Sequence, residues 1–194
     1  MKDGDVAHGL QLWVNLPRAE KMCEPRYQEL PAAAIPQVSE GGVTAHVIAG
    51  TALGTTSPVY TRNPVEYIHY FLQPHTTLNH RVAKGFNSFL YTLQGKISVG
   101  TPDSAKLIGA HNTVTLTNDS DADGVTITTF DQAAELVLLA GKPINEPVVQ
   151  HGPFVMSTRE EIMEAIKDYQ LGRNGFERAP GWRSDIGRPI TDHM

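Results

Sequence analysis

The chain has 194 residues, 40% hydrophobic and 19% charged, with a formal charge of -5. That is enough apolar material for a packed core, and it excludes wholesale disorder. The acidic balance excludes association driven by release of nucleic-acid counterions, which needs clustered Lys and Arg. The one cysteine, Cys23, excludes an internal disulfide and a cysteine-based structural zinc site. No apolar run reaches the ~18 residues of a membrane span, and the opening Met1-Lys-Asp-Gly-Asp lacks the apolar core of a secretory signal. The expectation is a soluble, intracellular chain. Its 17 glycines and 13 prolines interrupt the apolar runs too often for a helical bundle and predict a turn-rich, mainly β fold.

Taken in chain order, the first segment that reads as regular is 9–16. There Leu10, Leu12, Val14 and Leu16 alternate with Gln11, Trp13 and Asn15, the period of a strand. Prolines at 17, 25, 31 and 36 forbid long elements after it, so the stretch to about residue 40 is expected to be a crossing linker. From 41 onwards short apolar runs predict strands at 43–49, 59–61, 66–72, 81–82, 88–93, 96–99, 113–116, 124–129 and 134–140, with Gln94-Gly95 as a tight hairpin between two of them. Asn118 to Gly124 is a cluster of turn formers. Strands at this spacing predict one barrel or sandwich. Near the end, Thr158-x-x-Glu161 is a capping box that opens a helix, Ile162, Met163, Ala165, Ile166 and Tyr169 form its apolar stripe, and Gly172 closes it. The stripe is expected to bury against the barrel, and Phe176 and Trp182 to dock the tail. Residues from about 185 are expected to be mobile.

Eight histidines raise the question of a metal. Two or three imidazoles and a carboxylate must converge for a non-haem iron, manganese or copper site. His-x-His, which would place two ligands on one strand face, does not occur. His75 and His80 come nearest, and their spacing is wrong for one face of one strand; the reading is of polar loop histidines. His46 and His69 lie on strands, facing inwards or outwards as the alternation decides. His8, His111 and His193 read as surface, turn or tail residues, and His151 as a backbone hydrogen-bonding residue at a chain crossing. Cys23 has no histidine near it in sequence and no nucleophile elbow or phosphate loop is present. The acidic run 119–123 lacks the closing glutamate of a calcium loop. Residue by residue, no catalytic, cofactor-binding or metal-ligating position is assigned.

Several segments together resemble the pirin family of bicupins. They are His8-Gly-Leu-Gln-Leu-Trp-Val-Asn-Leu16, Lys21-Met-Cys-Glu-Pro-Arg-Tyr-Gln-Glu-Leu30, Val59-Tyr-Thr-Arg62, Ser88-Phe-Leu-Tyr-Thr-Leu-Gln-Gly95, Glu146-Pro-Val-Val-Gln-His-Gly-Pro-Phe-Val-Met-Ser-Thr158 and Asn174-Gly-Phe-Glu-Arg-Ala179. The resemblance implies two stacked cupin barrels, an iron-binding first one and a metal-free second one. It also implies either quercetin 2,3-dioxygenase-like activity or, in animals, coregulation of Rel-type (NF-κB) transcription factors. The family's ligands, three histidines and one glutamate, precede the segment matching His8, so the resemblance implies a chain lacking roughly one hundred residues of the first barrel. In the remaining barrel His80 matches one histidine of a decayed cupin motif, while Val82 and Ser88 stand at the other histidine and the glutamate.

The expected fold is therefore mainly β, a cupin-type jelly-roll barrel with a C-terminal helix plus a leftover strand of a second barrel. The expected domains are 1–40, remnant and linker; 41–158, metal-free barrel; and 159–194, helix and tail. The expected function is a protein-interaction or transcription-coregulator module without a self-sufficient metal site. An iron-dependent dioxygenase is the alternative if the first barrel is present in the natural protein. Expected partners are Rel-type factors, with no direct nucleic-acid or membrane contact, and self-association through the apolar strand 9–16. The expected location is nucleus and cytoplasm in a eukaryote, cytoplasm otherwise.

Overall fold

The computed structural model describes residues 8–117 and 122–184. The described chain forms two compact units: one of residues 8–16 and 23–144, the other of 17–22 and 145–184.

The first unit is a two-sheet jelly-roll sandwich. Its strands are β1 (Gln37–Glu40), β2 (Val43–Ala49), β3 (Thr51–Ala52), β4 (Thr55–Thr56), β5 (Val65–Leu72), β6 (Thr77–Arg81), β7 (Asn87–Gln94), β8 (Ile97–Val99), β9 (Lys106–Ile108), β10 (Thr113–Leu116), β11 (Gly124–Thr129) and β12 (Ala134–Gly141). One sheet has the order β1-β2-β5-β12-β7-β10 and the other β6-β11-β8-β9. The pairings within both sheets are antiparallel. No ladder joins the two sheets, so the barrel is not closed by hydrogen bonds.

Alternation explains the core. On β2 the odd residues Val43, Ala45, Val47 and Ala49 are buried; on β5 it is Ile68, Tyr70 and Leu72. Leu90 of β7, Ile97 of β8, Ile127 of β11 and Leu136 and Leu138 of β12 complete the layer, each fully buried. Each large aliphatic side chain sealed this way contributes about 1.5–3 kcal/mol. Strand β12 lies between β5 and β7 and buries apolar residues on both faces, with Val137 and Leu139 buried on the side away from the core.

Several expectations are corrected. Residues 9–16 carry the alternation of a strand but join no ladder, because a strand exists only where backbone groups find a partner. Residues 59–61 are likewise unladdered; the side-chain amide of Gln28 takes both backbone groups of Tyr60 instead, donating to its carbonyl at 2.7 Å and accepting from its N–H at 2.9 Å. The strand expected at 81–82 is β6, ending at Arg81. Gln94-Gly95 is not a hairpin, since β7 and β8 belong to different sheets. Gly95 (φ +81°) turns the chain from one sheet to the other, and a Cβ there would strike the carbonyl oxygen of Ala133. The short strands β1, β3, β4 and β9 have too few residues to show a period. Of the turn cluster at 118–124, residues 118–121 lie outside the described residues, as does the tail from 185 with His193.

The second unit holds the hairpin β13 (Val149–His151) and β14 (Phe154–Met156) and the helix α1 (Arg159–Leu171). The capping box is formed: Glu161 N–H donates to Thr158 Oγ1 at 3.2 Å, and Glu161 Oε2 accepts from the Thr158 N–H at 3.0 Å. Gly172 closes the helix at φ +60°. Ile162 is buried and Ala165 and Ile166 half-buried, whereas Met163 and Tyr169 are exposed. Within this unit the helix packs against β13 and β14. Phe176 meets Phe154 and Tyr169 edge to face. Trp182, expected to dock, is 73% exposed.

Residues 17–22 belong to this second unit through ionic contacts. The Arg18 backbone N–H donates to Glu146 at 2.7 Å, and its guanidinium Nε to Glu161 Oε1 at 2.7 Å. Glu161 thus serves the helix cap with one oxygen and Arg18 with the other. Desolvation pushes its carboxyl upwards, but the N–H groups of Ser157 and Thr158 and the Arg18 guanidinium outweigh it and hold the carboxyl below the usual glutamate range. A carboxyl depressed in the folded state adds stability above its unfolded pKa and loses it as pH falls through the lower, folded value. Thermal melts between pH 7 and pH 3 should therefore show an acid limb that begins just below the ordinary 4.5 and is shallower in Glu161→Gln, which can still cap. Asp168, held low by Asn174 and Arg173, and Glu177, held low by backbone N–H groups of its own turn, supply the part that remains.

A buried Tyr-His-Glu relay as candidate functional site

The inward face of β5 carries polar groups as well as core. Val65–Leu72 places Glu66, Ile68, Tyr70 and Leu72 on the same side, and on β6 Leu78 and His80 face them from the other sheet. Tyr70 Oη lies 2.8 Å from His80 Nδ1, and His80 Nε2 lies 3.1 Å from Glu66 Oε2. Tyr70 is 0% exposed, and the His80 and Glu66 side chains 4% and 15%. The relay thus runs from a buried phenol to a carboxylate at the margin of the sandwich.

The proton positions follow from chemistry. A carboxylate only accepts, so His80 Nε2 carries a hydrogen and donates it to Glu66. Burial, with the Glu66 charge added, pushes the Tyr70 phenol well above its ordinary pKa. The phenol therefore keeps its proton and donates it to Nδ1. A neutral imidazole satisfies both neighbours at once, and the three side chains tie the six-stranded sheet to the four-stranded one.

The resemblance assigns iron to the first barrel, and the side chains of this one offer an ion few free donors. Both ring nitrogens of His80 are occupied, and the accompanying donors are one phenol held protonated and one carboxylate. Val82 and Ser88 bring neither imidazole nor carboxylate. The buried Thr92 hydroxyl, without a hydrogen-bond partner, stands on the same cross-strand row as Tyr70. Among the described residues no three His, Cys, Asp or Glu side chains group to hold a metal. Iron does not fit this interior as it is built.

The other histidines are dispersed. His75 is a polar loop residue as expected: it sits on a turn at φ +56° with a 73% exposed side chain, 3.5 Å from Asp131. His80 is not a polar loop residue: β6 buries it, and a strand beginning at 77 fixes that parity. His46 and His69 face outward from the six-stranded sheet. Their rings are 5.8 Å apart, and His69 Nε2 is 2.8 Å from Glu135. Desolvation, with the neighbouring His69, lowers the His46 pKa. His8 and His111 are exposed, and His151 is exposed within β13. Cys23 is half-buried. Tyr70 and Glu66 went unnoticed in the sequence; the available signal was their shared parity along a strand otherwise filled with core residues.

A family model described as the pirin C-terminal cupin domain matches residues 67–175. The chain belongs to the pirin family. It is 48% identical to pirin from Homo sapiens over 94% of its own length and 62% of that protein, and 44% identical to pirin-like protein 2 from Arabidopsis thaliana over 95% and 58%. The chain thus spans about three fifths of the length of these relatives. A crystal structure of quercetin 2,3-dioxygenase from Acinetobacter baumannii superposes with a TM-score of 0.75 at 29% identity, covering 84% of this chain and 56% of that one. The jelly-roll and its C-terminal helix are therefore those of a pirin-family cupin.

The relay gives a sharp mutational expectation. Tyr70→Phe leaves the ring in place but strands Nδ1 without a donor, which costs about 1–3 kcal/mol in a urea titration. A packing defect alone would leave the imidazole unchanged; loss of the donor moves the His80 Nδ1 nitrogen resonance in a long-range NMR spectrum.

Proposed function

We propose that this pirin-family cupin works as a protein-interaction module and that its jelly-roll does not hold a redox metal by its own residues. The observation that carries the reading is the closed Tyr70-His80-Glu66 relay: among the described residues, the imidazole in the interior has no nitrogen to give to iron. The partner proposed is a Rel-type transcription factor of the NF-κB class, reached in nucleus and cytoplasm in a eukaryotic cell and in the cytoplasm otherwise. The net charge of -5 favours contact with protein over direct contact with nucleic acid.

A second reading has its own support. The likeness to a crystal structure of quercetin 2,3-dioxygenase favours an iron-dependent oxygenase of that kind if the first barrel is present in the natural protein. Metal content of this chain tests the first reading, and metal content of a protein that carries the first barrel tests the second. Purified chain grown with excess iron should carry far less than one iron per molecule, and His75→Ala and Glu66→Gln should not change that. Near-stoichiometric iron in this chain that either substitution removes would overturn the first reading.

Partner binding and self-association can be read together by size-exclusion chromatography with light scattering. Leu10, Trp13 and Val14 are 45%, 58% and 43% exposed, apolar surface that supports self-association through 9–16. The expected outcome is a concentration-dependent dimer that Leu10→Ser with Trp13→Ser abolishes, and co-elution of a purified Rel homology domain. A strictly monomeric chain removes the first expectation, and separate elution removes the second.

A further inference from the structure

The sequence contains one Asn-Gly pair, Asn174-Gly175, and the second unit places it just after α1, with both residues exposed. Phe176 N–H donates to the Arg173 carbonyl at 3.3 Å, so the pair fills the two central positions of a β-turn. Their φ values, +53° and +98°, are those of a type I′ turn. Such a pair carries a chemistry of its own. The Gly175 backbone N–H gives up its proton and the nitrogen bonds to Asn174 Cγ. Nδ2 then takes a proton and leaves as ammonia, closing a succinimide ring. Water opens one of the two ring C–N bonds, giving aspartate or isoaspartate. Glycine favours the attack, because no Cβ shields its nitrogen.

Both reacting groups are held by carboxylates. Asn174 Nδ2 donates to Asp168 Oδ2 at 2.9 Å, and Arg173 Nε pins the other Asp168 oxygen at 2.6 Å. The Asp168 side chain is 6% exposed, so this anchor is fixed at the end of α1. The Gly175 N–H reaches both oxygens of Glu177, at 3.1 and 3.2 Å. Hydrogen bonds from Asn174 and Arg173 hold Asp168 below the usual carboxylate range, and those from its own N–H and from Gly175 do the same for Glu177. Both are therefore charged at neutral pH, and each opposes one part of the reaction. Taking the proton from the Gly175 nitrogen would set a second negative charge beside Glu177, which like-charge repulsion disfavours. Ammonia can leave Cγ only after Nδ2 gives up its charge-assisted hydrogen bond to Asp168.

We propose that Asn174-Gly175 is a guarded deamidation site: Asp168 and Glu177 hold it shut while the second unit is folded, and local opening of the turn releases it. Refolding cannot undo the change. Aspartate at 174 sets a second carboxylate against the buried one of Asp168, and isoaspartate adds a methylene to the main chain inside the turn. Either product loosens the turn that presents Phe176 to Phe154 and Tyr169. Covalent change in an opened state is what turns a reversible opening into a permanent one.

The test is a time course of the whole chain in warm, mildly alkaline buffer, read by peptide mapping with mass spectrometry. An isoaspartyl methyltransferase serves as the reagent that marks isoaspartate. Deamidation at Asn174 should be at least about tenfold slower in the folded chain than in the same chain unfolded by guanidinium chloride, a factor worth ~1.4 kcal/mol. Glu177→Gln keeps an acceptor for the Gly175 N–H but removes its charge, and should speed the folded-state reaction severalfold. Asp168→Asn should speed it too. Circular dichroism and melting temperature show whether each variant is folded; if Asp168→Asn is not, Glu177→Gln alone decides. Asn174→Asp, made directly, should lower the melting temperature, and adding Asp168→Asn should restore it, since one carboxylate and one amide then face each other again. Equal rates in the folded and unfolded wild type overturn the proposal. So does an unchanged rate in folded Glu177→Gln, or an Asn174→Asp chain that melts as the wild type does.

Discussion

The two-residue period of strand β5 is the constraint on which the first unit depends. Once Ile68 and Leu72 face the core, Glu66 and Tyr70 must face it too, and Tyr67, His69 and Phe71 must face away. A polar pair is thereby committed to a low-dielectric interior, where an unmatched phenol or carboxylate is expensive. His80 resolves this from the opposite sheet, because a neutral imidazole both accepts and donates. Burial of the aliphatic residues supplies the bulk of the stabilisation, and the relay fixes how β5 and β6 are set against each other. A register slip of one residue would turn all these groups outward together.

Much of this was legible in the amino-acid order. The strands at 43–49, 113–116 and 124–129 are found with the expected bounds, 66–72, 96–99 and 134–140 shift by one residue at one end, and 88–93 lengthens by one residue at each end. The helix, its capping box and its closing glycine are all present. What the sequence could not carry was partnership. Residues 9–16 alternate as well as any strand in the chain, yet a ladder needs a neighbour that local pattern does not reveal. Gln94-Gly95 has hairpin chemistry, yet the destination of the next strand, the other sheet, is decided by the sandwich. The site followed the same division. His80 was visible by its resemblance to a decayed cupin motif, but as a lone imidazole; Tyr70 and Glu66 become its partners only when β5 and β6 oppose each other.

The second unit shows how one side chain can join two tasks. Glu161 has two carboxylate oxygens, and each is used: one completes the helix start, the other holds Arg18. The order and the charge of the helix terminus are thus linked to a segment more than a hundred residues earlier in the chain, with Glu146 taking the Arg18 backbone N–H beside it. Such a contact between exposed groups is weak on its own. Its leverage comes from sharing an atom set with the cap, so that protonation of one carboxyl loosens both.

The sealed imidazole also bears on how this lineage can change. Freeing one nitrogen of His80 for a metal would orphan either a buried phenol or a carboxylate, and supplying further ligands would mean replacing Val82 and Ser88 as well. Replacing Tyr70 or Glu66 to free that nitrogen loses a satisfied hydrogen bond before any bond to an ion is gained. Proteins with little stability to spare cross such intermediates rarely. The interior of this sandwich is therefore constrained: drift on the outer loops is open to it, whereas metal chemistry at its centre requires several coordinated substitutions at once.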